Sequence, residues 1–254
     1  MDAPKKSKPT LRARADKIKD FQCKNLIAVI EEPDDIRNIG TIVRNVNALG
    51  VEKAYVISAQ GTLPDEWQEM REKPKLNAAS ASAIKWSFVK KFRTAQECLS
   101  HLEKNGFVSV VTSPHMKGRT NVVLHEADYT KYTKLAVWFG NEGMGISQEA
   151  LERSELCINI PMYGIIESLN LGTSSGIVLY EIGKQRRAFQ AKLKAKIAAK
   201  KKAASSMNRC MDRPGWNWTR FMGMGHLLSR CHHLPGSVAH GVSLRRLVAN
   251  QERA

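Results

Sequence analysis

Long apolar runs are missing from this chain: none approaches the roughly 20 residues that a membrane-spanning helix needs. The basic start, Met1-Asp-Ala-Pro-Lys-Lys-Ser-Lys8, is not followed by the apolar stretch of a secretory signal, so the sequence implies a cytoplasmic protein. Paired cysteines are missing too. Five cysteines, at 23, 98, 157, 210 and 231, form neither an even set nor close pairs, which argues against a disulfide framework and for reduced thiols. His226, Cys231, His232, His233 and Cys210 show neither C-x-x-C nor H-x3-5-H spacing, so no metal is expected. No internal repeat is evident. Acid is in short supply: 24 Asp and Glu against 40 Lys and Arg leave a formal charge of +16. That surplus favours a polyanionic partner, because neutralising phosphates releases counterions and steers encounter. Nucleic acid comes first, a membrane surface second.

What is present is ordinary for a globular chain, with 43% hydrophobic and 25% charged residues, and 254 residues suffice for one substantial domain plus extensions. The positive charge is concentrated in Lys5, Lys6, Lys8, Arg12, Arg14, Lys17 and Lys19 and again from Lys184 to Lys202. This divides the chain into a basic arm at 1–24, a core at 25–188 and a basic extension at 189–254. Each arm could follow a phosphate backbone or be a solvated tail. After Ser205 no period is visible, and no fold is assigned there.

Within the core, β-rich runs at Leu26–Ile30, Ala54–Ile57, Trp86–Val89, Val108–Val111, Leu135–Phe139 and Cys157–Ile160 alternate with helical patterns. This is the α/β signature of a mainly parallel sheet with helices on both faces. Ile39, Ile42, Val43 and Val46 make one apolar helix face, and Arg44 projects to the other side; Asn38 and Gly40 are expected at that helix's start. Thr62–Ala83, polar and then rich in Ala and Ser, reads as a mobile connection with a short helix and is a candidate substrate loop. A long helical pattern starts at Ile165.

Three segments carry candidate chemistry. Asp34-Asp-Ile-Arg-Asn-Ile-Gly-Thr-Ile-Val-Arg44 offers the amide of Asn38 and the cation of Arg44; alone, it fits a helix cap and a surface arginine. Val137-Trp-Phe-Gly-Asn-Glu-Gly-Met-Gly-Ile-Ser147 is a strand running into a glycine turn with one carboxylate, Glu142; glycines 140, 143 and 145 permit positive φ and close ligand approach. It is neither G-x-G-x-x-G nor a P-loop, which removes support for nicotinamide cofactors and nucleoside triphosphates. A tight turn capped by Ser147 is the plainer reading. In Ile158-Asn-Ile-Pro-Met-Tyr-Gly-Ile-Ile-Glu-Ser-Leu-Asn170 a strand stops at Pro161, and Ser168 and Asn170 precede a helix start rich in small residues, which alone is a well-capped helix.

Taken in order, N-x5-R, F-G-N-E-G-x-G-I and I-P-M-x-G-x3-S-L-N resemble the three motifs of the SpoU/TrmH branch of the SPOUT RNA 2'-O-ribose methyltransferases, over about Asn25 to Arg187. The run Leu171-Gly-Thr-Ser-Ser-Gly176 departs from the usual pattern, but its small residues should keep the helix start. The resemblance implies a deep C-terminal trefoil knot, a homodimer, and S-adenosyl-L-methionine as cofactor. It implies that Thr112, Gly140, Ile160 and Leu169 line the cofactor and that Asn38, Arg44, Glu142, Ser168 and Asn170 form the catalytic and substrate-positioning set. The implied activity is methylation of a ribose 2'-hydroxyl in structured RNA, with tRNA ahead of rRNA. A catalytically silent RNA-binding or ribosome-assembly module with the same fold is the competing reading from another class.

Overall fold

The computed structural model describes residues 10–18, 21–59, 63–115 and 118–211. Two compact units divide the chain at Lys196/Ile197; the first holds the whole sheet, and the second is described only as the end of the last helix. The expectations for Lys5, Lys6, Lys8, Lys19 and the side chains of Arg12 and Arg14 lie outside the described residues, as do those for the cysteine and histidine side chains from Cys210 onward.

In chain order the elements are α1 (Leu11–Ile18), β1 (Cys23–Glu31), α2 (Ile36–Ala48), β2 (Val51–Ile57), α3 (Trp67–Glu72), α4 (Pro74–Ala79) and a 3-10 turn at Ala83–Lys85. There follow β3 (Phe88–Phe92), α5 (Ala95–Lys104), β4 (Val108–Thr112), β5 (Asn121–Val123), β6 (Leu135–Phe139), α6 (Gln148–Glu152), β7 (Leu156–Asn159) and α7 (Leu171–Met211). The strands form one parallel sheet in the order β3-β2-β1-β6-β4-β7-β5.

Central strands of such a sheet are covered on both faces, so their side chains are apolar without alternation in polarity. The two faces separate by residue parity. Leu26, Ala28 and Ile30 of β1 and Leu135, Val137 and Phe139 of β6 join Ile39, Ile42, Val43 and Val46 of α2 and Val178, Leu179 and Ile182 of α7 in one core. Ile27, Val29, Ala136 and Trp138 join Cys98, Leu99 and Leu102 of α5 and Ala150 and Leu151 of α6 in the other. The expected parallel α/β sheet with helices on both faces is therefore present.

Several boundaries differ from those read in sequence. The cap of α2 is Asp35, whose carboxylate accepts from the Arg37 N–H at 2.8 Å, so Asn38 lies inside the first turn with its side chain available for other contacts. The Thr62–Ala83 segment, where described, holds two short helices rather than one, anchored by Leu63, Met70 and Leu76 at no more than 2% exposure. Each contributes about one apolar anchor, too few for a period to register. β3 starts two residues after Trp86 and runs past Val89 through Lys90 and Lys91 to Phe92; as an edge strand it tolerates lysine, and the Lys91 ammonium donates to the Leu63 carbonyl at 2.8 Å. β5, three residues on the opposite edge, left no detectable pattern. The last helix begins at Leu171, not Ile165: Asn170 caps it by accepting from the Gly172 N–H, and the apolar Ile165 and Ile166 before it stand exposed.

The second basic cluster also loses members to the core. Arg186 is 5% exposed and donates to the carbonyls of Tyr129, Tyr132 and Thr133, while Arg187 donates to the Leu49 carbonyl. The lysines from Lys192 to Lys202 are exposed. Replacing Arg186 by Leu would strand three carbonyls, and we expect a loss of about 2–3 kcal/mol in unfolding free energy. A lowered urea midpoint checks this; an unchanged one would mean that the carbonyls find other partners. No helix among the described residues is long and apolar enough to cross a membrane.

Candidate active site

Parallel strands point their C-terminal ends to one edge of the sheet, where α/β proteins place ligands in crevices between loops. Here the ends of β4, β6 and β7 and the start of α7 enclose a cavity of about 510 Å³, within the usual range for a small-molecule site. It is lined by Thr112 to His115, Gly140 to Ile146, Ile158, Ile160 and Glu167 to Leu171 among others.

The glycine turn is the continuation of β6, all five of whose residues are buried. Asn141 and Gly145 exchange two backbone hydrogen bonds, at 2.9 and 3.0 Å, which fold the chain back on itself. Of the three glycines only Gly145 uses positive φ, at 75°. Gly140 is required for another reason: a Cβ there would lie 2.4 Å from the carbonyl carbon and oxygen of Gly145. Position 143 needs neither freedom.

Asn141, which the sequence reading did not single out, is 8% exposed and fully bonded. Its Nδ2 donates to the Glu32 carbonyl at 2.6 Å and to Asp34 Oδ1 at 2.8 Å, and its Oδ1 accepts from the N–H groups of Gly143 and Met144 at 2.8 and 2.7 Å. The available signal was weak: an asparagine ahead of a glycine, whose side chain can bond backbone two residues on.

Glu142 accepts from the Asp34 N–H at 3.1 Å and from the Asn38 amide. Asn38 in turn accepts from Asn170 Nδ2 at 3.3 Å. One hydrogen-bonded chain thus joins the three segments, and Glu142 and Asn170 also line the cavity. Thr112, Gly140, Ile160, Ser168 and Leu169 line it as well. Arg44 is not brought into this chain. It is exposed on α2, about two turns beyond Asn38, outside the cavity lining and without a hydrogen bond or ion pair among the described residues.

Beneath the turn, Glu31 is 4% exposed and accepts from the Ser147 N–H at 3.1 Å, while the Ser147 hydroxyl caps α6 by accepting from Ala150. Burial pushes the Glu31 carboxyl above its ordinary 4.5, with Ser147 opposing and Glu32 and Glu149 adding to the rise. The sign of the linkage follows. A carboxyl raised on folding disfavours the folded state wherever it is ionised, and that cost disappears as pH falls through the raised value toward the ordinary one. Glu31→Gln keeps an acceptor for Ser147 and removes the charge. Its thermal midpoint should exceed the wild-type value at neutral pH, with the gap closing toward pH 4.5. A gap independent of pH would refute the assignment.

Residues 25–180 match the model of the SpoU rRNA Methylase family. The chain is 35% identical over 164 residues to a tRNA (guanosine(18)-2'-O)-methyltransferase of Aquifex aeolicus, covering 64% of this chain and 71% of that protein. The enzyme of the same name from Escherichia coli K12 is 31% identical over 179 residues, covering 70% and 72%. Among solved structures, the A. aeolicus TrmH/SpoU tRNA modifying enzyme superposes with a TM-score of 0.58 at 29% identity, covering 71% of this chain and 86% of that one. The matched span contains all three segments and the cavity between them, and the chain belongs to the SpoU rRNA Methylase family.

Proposed function

We propose that this protein methylates the 2'-hydroxyl of a ribose in structured RNA, with S-adenosylmethionine as donor and tRNA as substrate. The observation that carries the reading is the union of the three motif segments, through Glu142, Asn38 and Asn170, beside a cavity suited to that donor. The cavity pairs apolar walls from Ile158, Ile160 and Val178 with the carboxylates of Glu142 and Glu167, and its described lining has no lysine or arginine. Such a lining suits a ligand with an apolar ring system and a cationic sulfur.

Thr112, Gly140, Ile160 and Leu169 would hold the cofactor, whose chemistry is a methyl group on a positively charged sulfur. The chain's own task is placement of the ribose hydroxyl in line with that methyl, which supplies much of the rate in a displacement. Asn38 and Glu142 fix the edge of α2 against the glycine turn. Ser168 and Asn170 order the loop that closes the cavity. Arg44 is suited to holding charge rather than to taking a proton, since its guanidinium offers five N–H donors and no acceptor. Exposed and outside its own chain's cavity, it would act on a ribose held at the homodimer interface, orienting the hydroxyl and stabilising the oxyanion developing on it, with a neighbouring RNA phosphate helping to remove the proton.

The names of the A. aeolicus and E. coli relatives support tRNA; the family description supports rRNA as the alternative. A homodimer is supported by exposed apolar residues around the site loop and α7, notably Tyr163 at 93%, Ile165 at 98% and Tyr180 at 55% exposure, which a second copy would cover. The trefoil knot is supported by the insertion of β7 between β4 and β5. In this reading 25–188 is the catalytic domain and the arms at 1–24 and 189–254 grip RNA. Cytoplasmic residence is supported by Cys23, Cys98 and Cys157, each a buried free thiol.

The test is transfer of tritiated methyl from the cofactor to separate tRNA and rRNA fractions, followed by alkaline hydrolysis. Label in tRNA within an alkali-resistant dinucleotide is expected, since a methylated 2'-oxygen cannot attack the adjacent phosphate. Label only in rRNA would change the substrate class. Label in neither, with RNA binding retained, would leave the silent RNA-binding module as the better reading.

A further inference from the structure

We infer that Asn141 is a positioning residue that acts on Glu142 through Asp34, so that one buried amide sets both the cofactor turn and the catalytic carboxylate. The inference deepens the methyl-transfer reading and rests on it for its kinetic arm. An asparagine amide has two N–H donors and an oxygen with two lone pairs, and Asn141 uses all four. The oxygen half holds Gly143 and Met144, which line the cavity. The nitrogen half holds the turn after β1, at the Glu32 carbonyl and the Asp34 carboxylate. The backbone N–H of Asp34 then donates to Glu142 Oε2 at 3.1 Å. Asn141 is thus adjacent to Glu142 in sequence and also holds, from the far side, one of its two hydrogen-bond donors.

The two halves can be separated chemically. Asn141→Asp keeps an acceptor for Gly143 and Met144 but has no donor, and it sets a carboxylate against that of Asp34. The cofactor turn should persist while the Asp34 turn is pushed away and Glu142 loses its register. Adding Asp34→Asn restores a donor across the pair with the roles exchanged. Asp34→Asn alone should lower kcat less than Asn141→Asp does, because its amide oxygen can still accept from Asn141.

The experiment compares wild type, Asn141→Asp, Asp34→Asn and the double variant by steady-state kinetics, and by amide hydrogen exchange without RNA or cofactor. A displacement near 1 Å can cost up to about 10²-fold in rate, so Asn141→Asp should lower kcat by about 10–100-fold while the cofactor KM moves by less than about 3-fold. Exchange should rise over 33–38 and stay near wild type over 143–146. The double variant should recover kcat at least about 3-fold over Asn141→Asp, a coupling expected of residues in contact or in one hydrogen-bond network and not of independent sites. Wild-type kcat in Asn141→Asp, or a loss that Asp34→Asn leaves unrepaired, would overturn the inference. So would exchange rising over 143–146 alone. If Asn141→Asp does not fold, Asp34→Ala, which removes only the carboxylate, must give the same selective kcat loss. Exchange is read without substrate, so failure of the methyl-transfer reading is distinguishable from failure of this one.

Discussion

Arg44→Ala is expected to lower single-turnover methyl transfer by about 10²–10³-fold, the range for removing one donor to a developing oxyanion, and to leave the urea midpoint unchanged. The two halves of that expectation come from opposite sides of α2. Its buried face is Ile39, Ile42, Val43 and Val46, and Arg44 faces away from it. A surface side chain with no hydrogen bond or ion pair among the described residues contributes little to stability, typically within about 0.5 kcal/mol. A large kinetic effect from such a residue therefore reports on chemistry rather than folding. Arg44→Lys sharpens the test by retaining charge and losing the planar fork, so it should recover only part of the rate. Wild-type turnover in either variant would remove Arg44 from the mechanism. A lowered urea midpoint in Arg44→Ala would instead assign it a structural contact absent from the present geometry.

The sequence was most readable where contacts are local. The five residues of β6 are all buried, and they form an uninterrupted apolar run; the four-residue stripe of α2 is an amphipathic period with no competing signal. The Ser147 cap is read from a residue three positions from its partner. Where the contact is distant, nothing local records it. Asn38 meets Glu142 across 104 positions and Asn170 across 132, so the geometry joining the motifs was accessible only through their resemblance to a known set. Arg186 illustrates the same limit in reverse: within a run of lysines it reads as surface charge, but its guanidinium satisfies carbonyls more than 50 positions away. The Ile165 error has a different cause. Exposed apolar residues in a site loop imitate the apolar period of a helix, and only the capping bonds of Asn170 mark where α7 begins.

Gly140→Ala is expected to reduce affinity for S-adenosylmethionine by more than about 10²-fold, equivalent to about 2.7 kcal/mol, as read by isothermal titration. The added Cβ would stand 2.4 Å from the carbonyl carbon and oxygen of Gly145 and 2.6 Å from the nitrogen of Ile146. All three are backbone atoms, so no rotamer change can relieve the overlap. The turn must open, and opening it breaks the paired hydrogen bonds between Asn141 and Gly145 that fold it over the cavity. The neighbouring glycines provide the internal controls. At Gly143 the nearest atom to an added Cβ is Asn141 Oδ1 at 3.5 Å, ordinary contact, so Gly143→Ala should bind within about 3-fold of wild type. At Gly145 there is open space but φ is 75°, so Gly145→Ala should cost about 1 kcal/mol of backbone strain and fall between the two. The order matters more than any single value. It requires that close approach of two backbone segments, more than left-handed conformation, is what glycine supplies to this turn. Gly145→Ala weakening binding more than Gly140→Ala would reverse that conclusion, and near-wild-type affinity in Gly140→Ala would detach the turn from the cofactor altogether.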